Sequence, residues 1–405
     1  MNLKFRSICL LSVRGIKQFG FSSIVASLAI SMAGGLFLST WKIKEGAQNA
    51  FSLSSGGFDA VLGARGAKLQ LILNAIFHLE DSPGNLDWEQ YEIIKENRAV
   101  KAAYPIAVGD NYLGYRLVGT LSSLFTDHEW KKGKKYEICK GGRIFLDSNK
   151  EALVGSFVAT KLGLKIGDTF HPYHGLTFKE DSKHNDIYKV VGILKPTGTP
   201  SDRVIWVPIM GIQHMEGHAE EYANSVSAVL LKLRGAAGFG LEMKYNKQGN
   251  IATFAWPIPA IVADFFSRLT WFEKVLQLIS ILIGVMSCMI ILAVLRNSLH
   301  ERRRDFAILR CLGANRSFVT NVVIGQSCII SIFGALGSLI IYFLISSFAA
   351  FLIREETGVM LDPFAWDSIL MYSFVGIILL GLLSAIFPAI SAYRFEISKN
   401  LQLNS

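Results

Sequence analysis

Five of the eight histidines fall within one polar stretch, at spacings that suit metal ligation. His171 and His174 stand in HPYH, His184 follows ten residues later, and His214 and His218 enclose Glu216 in HMEGH. Two imidazoles four residues apart share one helix face and can hold zinc between them. His171, His174, His214 and His218 are therefore the residues that would carry a metal if this chain bound one. Neither pair is completed by a fixed set of further ligands. The expectation is that these histidines are solvated loop residues and that the chain has no metal site.

Other chemistry is excluded motif by motif. Gly63 and Gly66 do not lead into GK[ST], so no backbone cradle for nucleotide phosphates is present. No G-x-S-x-G, H-E-x-x-H or C-x-x-C pattern occurs. The chain is expected not to be an enzyme, to have no catalytic residues and to carry no cofactor of its own.

The elements that would position any site are dominated by apolar runs. The chain has 405 residues, 51% hydrophobic, which exceeds what a soluble domain of this size needs and points to membrane spans. Its net charge of +9 could suit nucleic acid, but the cations cluster beside the apolar runs, where they orient a membrane protein. Among five cysteines only Cys139 lies in the large polar region, so that region folds without an internal disulfide.

Residues 1–20 carry Lys4, Arg6, Arg14 and Lys17 and no acid, interleaved with apolar residues at helical period. This predicts an interfacial helix on the cytoplasmic leaflet. Residues 21–40 are uncharged and long enough to cross a bilayer. The run is too long for a signal-peptide core, and no A-x-A site closes it, so an uncleaved span is expected. Within it Ser23, Ser27, Ser31, Gly35 and Ser39 recur every four residues, a small-residue face for close helix packing. Three further spans are predicted near 275–295, 323–348 and 368–393, the last kinked by Pro388. A helical stripe from Ile258 to Ile279 predicts an extended helix rising from the second span as a stalk. The basic N-terminus, 296–316 loop and C-terminus (Arg394, Lys399) are expected inside, and the acidic 354–367 loop outside.

The most basic short segment is HERRRDFAILRCLGANRSFV, residues 300–319. Arg302, Arg303, Arg304, Arg310 and Arg316 are opposed only by Glu301 and Asp305. Phe306, Ile308, Leu309 and Leu312 give one apolar helical face, Gly313 suits the left-handed C′ position, and Asn315 can cap the next helix. A short amphipathic helix between two spans is predicted. A basic loop that only sets topology is the plainer alternative.

Residues 301–314, ERRRDFAILRCLGA, resemble the "ER-x-x-E-I-x-I-L-R-A-L-G-A" signature of the FtsX/MacB superfamily of ABC-transporter permeases, with Asp305, Phe306 and Cys311 as departures. Two other stretches resemble family elements. Residues 58–73, FDAVLGARGAKLQLIL, are similar to a "D-x-V-V-G-A-x-G-S-x-L-Q-L-x-L" opening. Gly155, Ala159, Lys161, Leu162, Gly163, Gly167 and Asp168 follow a "V-x-G-x-x-x-A-x-K-L-G-x-x-x-G-D" pattern, with Leu153 at its first position. The resemblance implies an α-helical membrane protein with four transmembrane helices and an inserted, two-lobed periplasmic α+β domain. It implies a domain order of interfacial helix (1–20), first span (21–40), MacB-like periplasmic core domain (41–256), then stalk and FtsX-like permease domain (257–405). It also implies a bacterial inner-membrane location with both termini cytoplasmic.

In the family the Arg-rich segment docks on a cytoplasmic ABC ATPase, which here makes Glu301, Arg302, Arg303, Arg304, Asp305, Phe306, Ile308, Leu309, Leu312 and Gly313 the coupling residues. ATP and Mg would belong to that partner. The further partners implied are a second permease copy or paralogue, the lipid bilayer, and a periplasmic adaptor or lipoprotein; nucleic acid is not among them. Function then follows as transmission of ATP-driven movement to the periplasmic domain, driving export or extraction of a lipoprotein, lipid, peptide or small molecule. The alternatives are a signalling permease that regulates a cell-envelope enzyme and a metal-uptake-associated membrane component.

Overall fold

The structure, a computed structural model, describes residues 2–216, 223–235, 237–364 and 367–393. These divide into two compact units. One, the helical unit, comprises residues 1–45, 269–349 and 362–405, and the other, the sheet unit, comprises 46–268 and 350–361.

The helical unit begins with α1 (Asn2–Gln18) and α2 (Gly20–Leu53) and continues with α4 (Thr270–Glu301), α5 (Arg303–Cys311), α6 (Arg316–Thr357) and α7 (Ser368–Tyr393), α3 (Ile258–Arg268) belonging to the sheet unit. Four of them, α2, α4, α6 and α7, are long and apolar enough to cross a membrane. A span needs about 20 residues; α6 has 42, about 63 Å at 1.5 Å per residue. The segment before the expected 323–348 span is therefore part of the same helix, and 350–357 at its other end join the sheet unit.

The expected stalk is not one helix. α3 and α4 are separated at Leu269, and the stripe that suggested continuity has two destinations. Ile258 and Val262 are buried in the sheet unit's own core, which ties α3 there. Within the helical unit, Lys42 of α2 pairs with Asp367 at 2.7 Å and Lys44 with Glu273.

The main sheet of the sheet unit has ten strands among the described residues: β1 (Ala60–Ala64), β2 (Val100–Tyr112), β3 (Tyr115–Thr120), β4 (Glu151–Val154), β5 (Thr169–Phe170), β6 (Tyr173–His174), β7 (Tyr188–Ile193), β8 (Ile205–Pro208), β9 (Ala228–Leu233) and β10 (Ala252–Ala255). They pair in the order β10-β1-β9-β2-β3-β8-β4-β7-β5, with β6 also on β2. The sheet is mixed, with β4–β7 and β3–β8 parallel.

Strand alternation sends successive side chains to opposite faces, and both faces are covered. Leu62, Leu117, Val154, Val190, Ile205 and Leu231 enter one core; their neighbours Val61, Val118, Leu153, Val191, Trp206 and Leu230 enter the other. The two lobes expected from the sequence thus share one sheet. β2 is the element that joins its halves: residues from Val100 to Ile106 pair with β9, and those from Ala107 to Tyr112 with β3. Between β4 and β5 a short helix, Ser156–Leu162, ends at Gly163 with φ +68°, and Gly167 turns at φ +104° beside Asp168, whose carboxylate accepts the Lys165 N–H at 2.8 Å. This is the strand, helix and Gly-Asp turn anticipated from residues 151–169.

Candidate functional site

The Arg-rich segment forms a helix with both ends built as its sequence predicts. α5 closes in a Schellman arrangement: Gly313 takes φ +97°, its N–H donates to the Arg310 carbonyl at 3.1 Å, and the Ala314 N–H donates to Leu309 at 3.0 Å. A side chain at Gly313 would be strained, so glycine is required there. Asn315 then caps α6, its side-chain oxygen accepting the Phe318 N–H at 3.0 Å. These two caps fix the short span of chain between α5 and α6.

The apolar residues of α5 do not share one face. Phe306 and Ala307 are buried at 2% and 0% exposure, and Leu309 is half-buried, packed with Ile291, Leu295, Val322 and Ala385. Ile308 and Leu312 point the other way, 45% and 81% exposed. The outward surface is completed by Glu301, Arg303, Arg304 and Asp305, all exposed. Periodicity located the helix but merged its inner and outer apolar residues, because Ile308 and Leu312 both lie within four residues of inward-facing ones.

Arg302 is a second departure from an all-surface arginine cluster. Only 7% exposed, it stacks over the Phe306 ring at 5.1 Å and donates toward the Leu11 carbonyl of α1 at 3.5 Å. α1 itself lies on the bundle through Ile8, Leu11, Ser12 and Ile16, with Ser12 Oγ donating to the Val322 carbonyl at 3.0 Å. Leu10 and Val13 remain exposed on its other side. The guanidinium of Arg302 thus joins α1 to the root of α5. Neither this role nor the Ser12–Val322 contact has a signal in local sequence.

The small-residue ladder of α2 meets α6 of the same chain. Ser27 Oγ donates to the Ile330 carbonyl at 3.2 Å, and Ser31 Oγ to Gly334 at 3.1 Å. A Cβ on Gly35 would stand 2.6 Å from the Ile341 Cβ and 3.1 Å from the Ser338 carbonyl. Ser23 and Ser39 are buried on the same side, Ser39 bonding back to the Gly35 carbonyl at 2.7 Å. Close backbone approach is what such residues permit. Gly35→Leu is expected to destabilise the helical unit by about 1–3 kcal/mol, since the backbone must move to admit it. Unfolding of the purified protein by titrated denaturing detergent reads this; an unchanged midpoint would remove the ladder from the packing account.

The histidines separate. His214 is exposed and directs Nδ1 to the Met210 carbonyl at 3.2 Å, and His171 Nδ1 lies 3.2 Å from the His184 carbonyl. His218 lies outside the described residues. His174 meets His184 and Asp110, whose ligand-type atoms lie within 4.8 Å of one another. His184 is not the solvated loop residue expected: it is 8% exposed, because the chain after β6 folds back and its N–H donates to the Pro172 carbonyl at 2.9 Å. Asp110, fully buried, has no motif around it in sequence.

With this geometry in place, two family descriptions match the chain: "MacB-like periplasmic core domain" over residues 20–238 and "FtsX-like permease C-terminal" over residues 277–397. The chain is 25% identical over 280 residues to an uncharacterized ABC transporter permease of Methanocaldococcus jannaschii, the match covering 65% of each chain. The crystal structure of the periplasmic region of MacB from Actinobacillus actinomycetemcomitans aligns with 52% of this chain and 94% of its own, at 9% identity and a TM-score of 0.33.

Proposed function

The chain belongs to the FtsX/MacB superfamily of ABC-transporter permeases, and from that premise we propose that it transmits movement of a separate cytoplasmic ABC ATPase to its periplasmic sheet unit. α5 is the coupling element. The observation that carries this is its division into two faces: Phe306 and Ala307 anchor it in the bundle, while Leu312 and Ile308 stay exposed, as do Arg303 and Arg304. An exposed apolar pair on a rigidly held helix is the arrangement that docks into a partner's groove, where a few apolar anchors supply most of the binding energy. α2 and α6 offer the path onward, because both also contribute residues to the sheet unit. In this proposal the chain lies in the inner membrane with both termini in the cytoplasm. It acts as a dimer with a second permease copy or paralogue, and it drives export or extraction of a substrate, with a periplasmic adaptor or lipoprotein as a further partner. ATP and Mg bind the ATPase.

Leu312→Asp tests it. The residue is 81% exposed, so the change leaves the bundle intact while placing a charge in the proposed groove. Loss of the ABC ATPase that co-purifies with the native chain is expected, with membrane insertion unchanged. Arg303→Ala should weaken the complex by no more than about 1 kcal/mol, as one surface charge among several. Native-like co-purification of Leu312→Asp alongside loss in Arg303→Ala would instead favour a basic loop that only sets topology.

A further inference from the structure

We propose that Asp110, His174 and His184 form a binding site for a divalent transition-metal ion, with zinc the best match. The site is independent of the coupling helix and lies wholly in the sheet unit.

Backbone pairing builds it. Asp110 and His174 are directly opposite in the β2–β6 register. The β2–β3 register slips between Val108 and Asp110, a bulge of the kind that re-aims a side chain. Two further bonds hold the pair together: Gly175 N–H to the Gly109 carbonyl at 2.9 Å, and Asn111 Nδ2 to the Gly175 carbonyl at 2.8 Å. His184 arrives where the returning chain pairs Tyr173 with Lys183. Three side chains separated by up to 74 residues are therefore set by main-chain hydrogen bonds, the preorganisation a metal site needs.

The distances fit a metal. His184 Nε2 lies 3.2 Å and His174 Nδ1 3.5 Å from the same carboxylate oxygen of Asp110. Ligands held about 2.1 Å from zinc stand about 3.4 Å apart along the edges of a tetrahedron.

The hydrogen-bond geometry of His184 points the same way. His184 Nδ1 is 2.8 Å from the Glu216 carbonyl, which can only accept, so Nδ1 carries a proton. Nε2 is the nitrogen left to face the Asp110 oxygen. A metal ion between them would take a lone pair from each, and a fully buried carboxylate such as that of Asp110 favours positive charge beside it. The presence of a second imidazole at the same oxygen, with its own ring nitrogen turned inward, favours the metal. A backbone carbonyl holding the far nitrogen of a ligating histidine is also the usual outer-shell arrangement. His174, whose side chain is 59% exposed, leaves the ion reachable from solvent, and a tetrahedral ion would take one donor beyond these three.

The test uses the full-length chain, stripped with a chelator in detergent solution. Zinc is titrated against a chromophoric competitor, and cobalt replaces it for the tetrahedral d–d absorption. The native chain is expected to bind one zinc and show the cobalt bands. Loss of an outer-shell partner alone costs about 10–100-fold in affinity, so His174→Ala and Asp110→Asn should each lose at least tenfold, and His214→Ala nothing. His174→Ala decides alone if the buried Asp110 variant misfolds. No stoichiometric zinc, or binding that survives His174→Ala, overturns the site. So does a His184 ring found doubly protonated at neutral pH in the zinc-treated protein, which would make the cluster an imidazolium–carboxylate pair.

Discussion

Phe306→Ala is expected to cost the helical unit about 3–5 kcal/mol, the usual range for deleting a buried aromatic side chain, while Leu312→Ala changes its stability by no more than about 0.5 kcal/mol. Both residues belong to the same nine-to-ten-residue segment and the same apolar pattern. Phe306 lies at 2% exposure among Ile291, Leu295, Val319 and Val322, and its ring carries the Arg302 guanidinium that reaches α1. Its loss empties a cavity at the junction of α1, α5 and α6 and leaves Arg302 without its stacking face. Alanine is a cleaner change than aspartate here, because Arg302 one turn back could pair with a new carboxylate. Detergent-titrated unfolding of the two variants side by side measures the difference. Equal midpoints would mean that α5 is not anchored through Phe306, and the two-faced account of the coupling helix would fall with it.

Acidification from pH 7 to pH 4 is expected to remove about 3 kcal/mol of stability from the sheet unit through His78 alone. Burial holds this imidazole neutral, pushing its pKa from 6.5 down to about 3, with the nearby Arg116 charge and, more weakly, Arg203 acting in the same direction and a hydrogen bond donated to the Asn74 backbone opposing them. It stands edge-on to Trp206 at 5.7 Å. The unfolded chain takes up a proton below pH 6.5 and the folded one does not, so stability is complete above 6.5 and falls as pH drops toward 3, by about 1.4 kcal/mol per pH unit.

A second group extends the slope. The Glu151 carboxyl is held at about 2, first by its paired hydrogen bonds from Arg143 at 2.6 and 2.7 Å and then by the Leu146 N–H and Asn149. Its contribution is present above pH 4.5 and is lost as pH falls toward 2; with Arg143 half exposed it is worth only about 1–2 kcal/mol. The measurement is the unfolding midpoint of the full-length chain between pH 7 and 4, compared with His78→Gln, which cannot charge. The variant should be less stable at pH 7 but flatter with pH. Parallel curves for the two proteins would show that His78 does not govern the acid response.

Much of this molecule is decided by local rules that act on neighbouring residues. Uncharged runs longer than 18 residues become helices able to cross a membrane. Gly313 ends α5 because only a residue free to take φ +97° can sit there, and Asn315 starts α6 because its short side chain reaches the Phe318 N–H. The serine–glycine ladder of α2 is likewise written at fixed spacing, although that spacing could not say that its partner would be α6 of the same chain. What remained for tertiary structure was orientation and encounter. A helix with apolar residues at 306, 308, 309 and 312 presents several possible inner faces, and only packing against α4, α6 and α7 put Phe306 inside and Leu312 out. The single stalk expected across 258–279 divided at Leu269 because the core of the sheet unit claimed Ile258 and Val262. The meeting of Asp110 with His174 and His184 depended on a strand register, a bulge and a returning loop. Those are long-range pairings whose energy comes from burying both faces of the sheet, and no spacing along the chain encodes them.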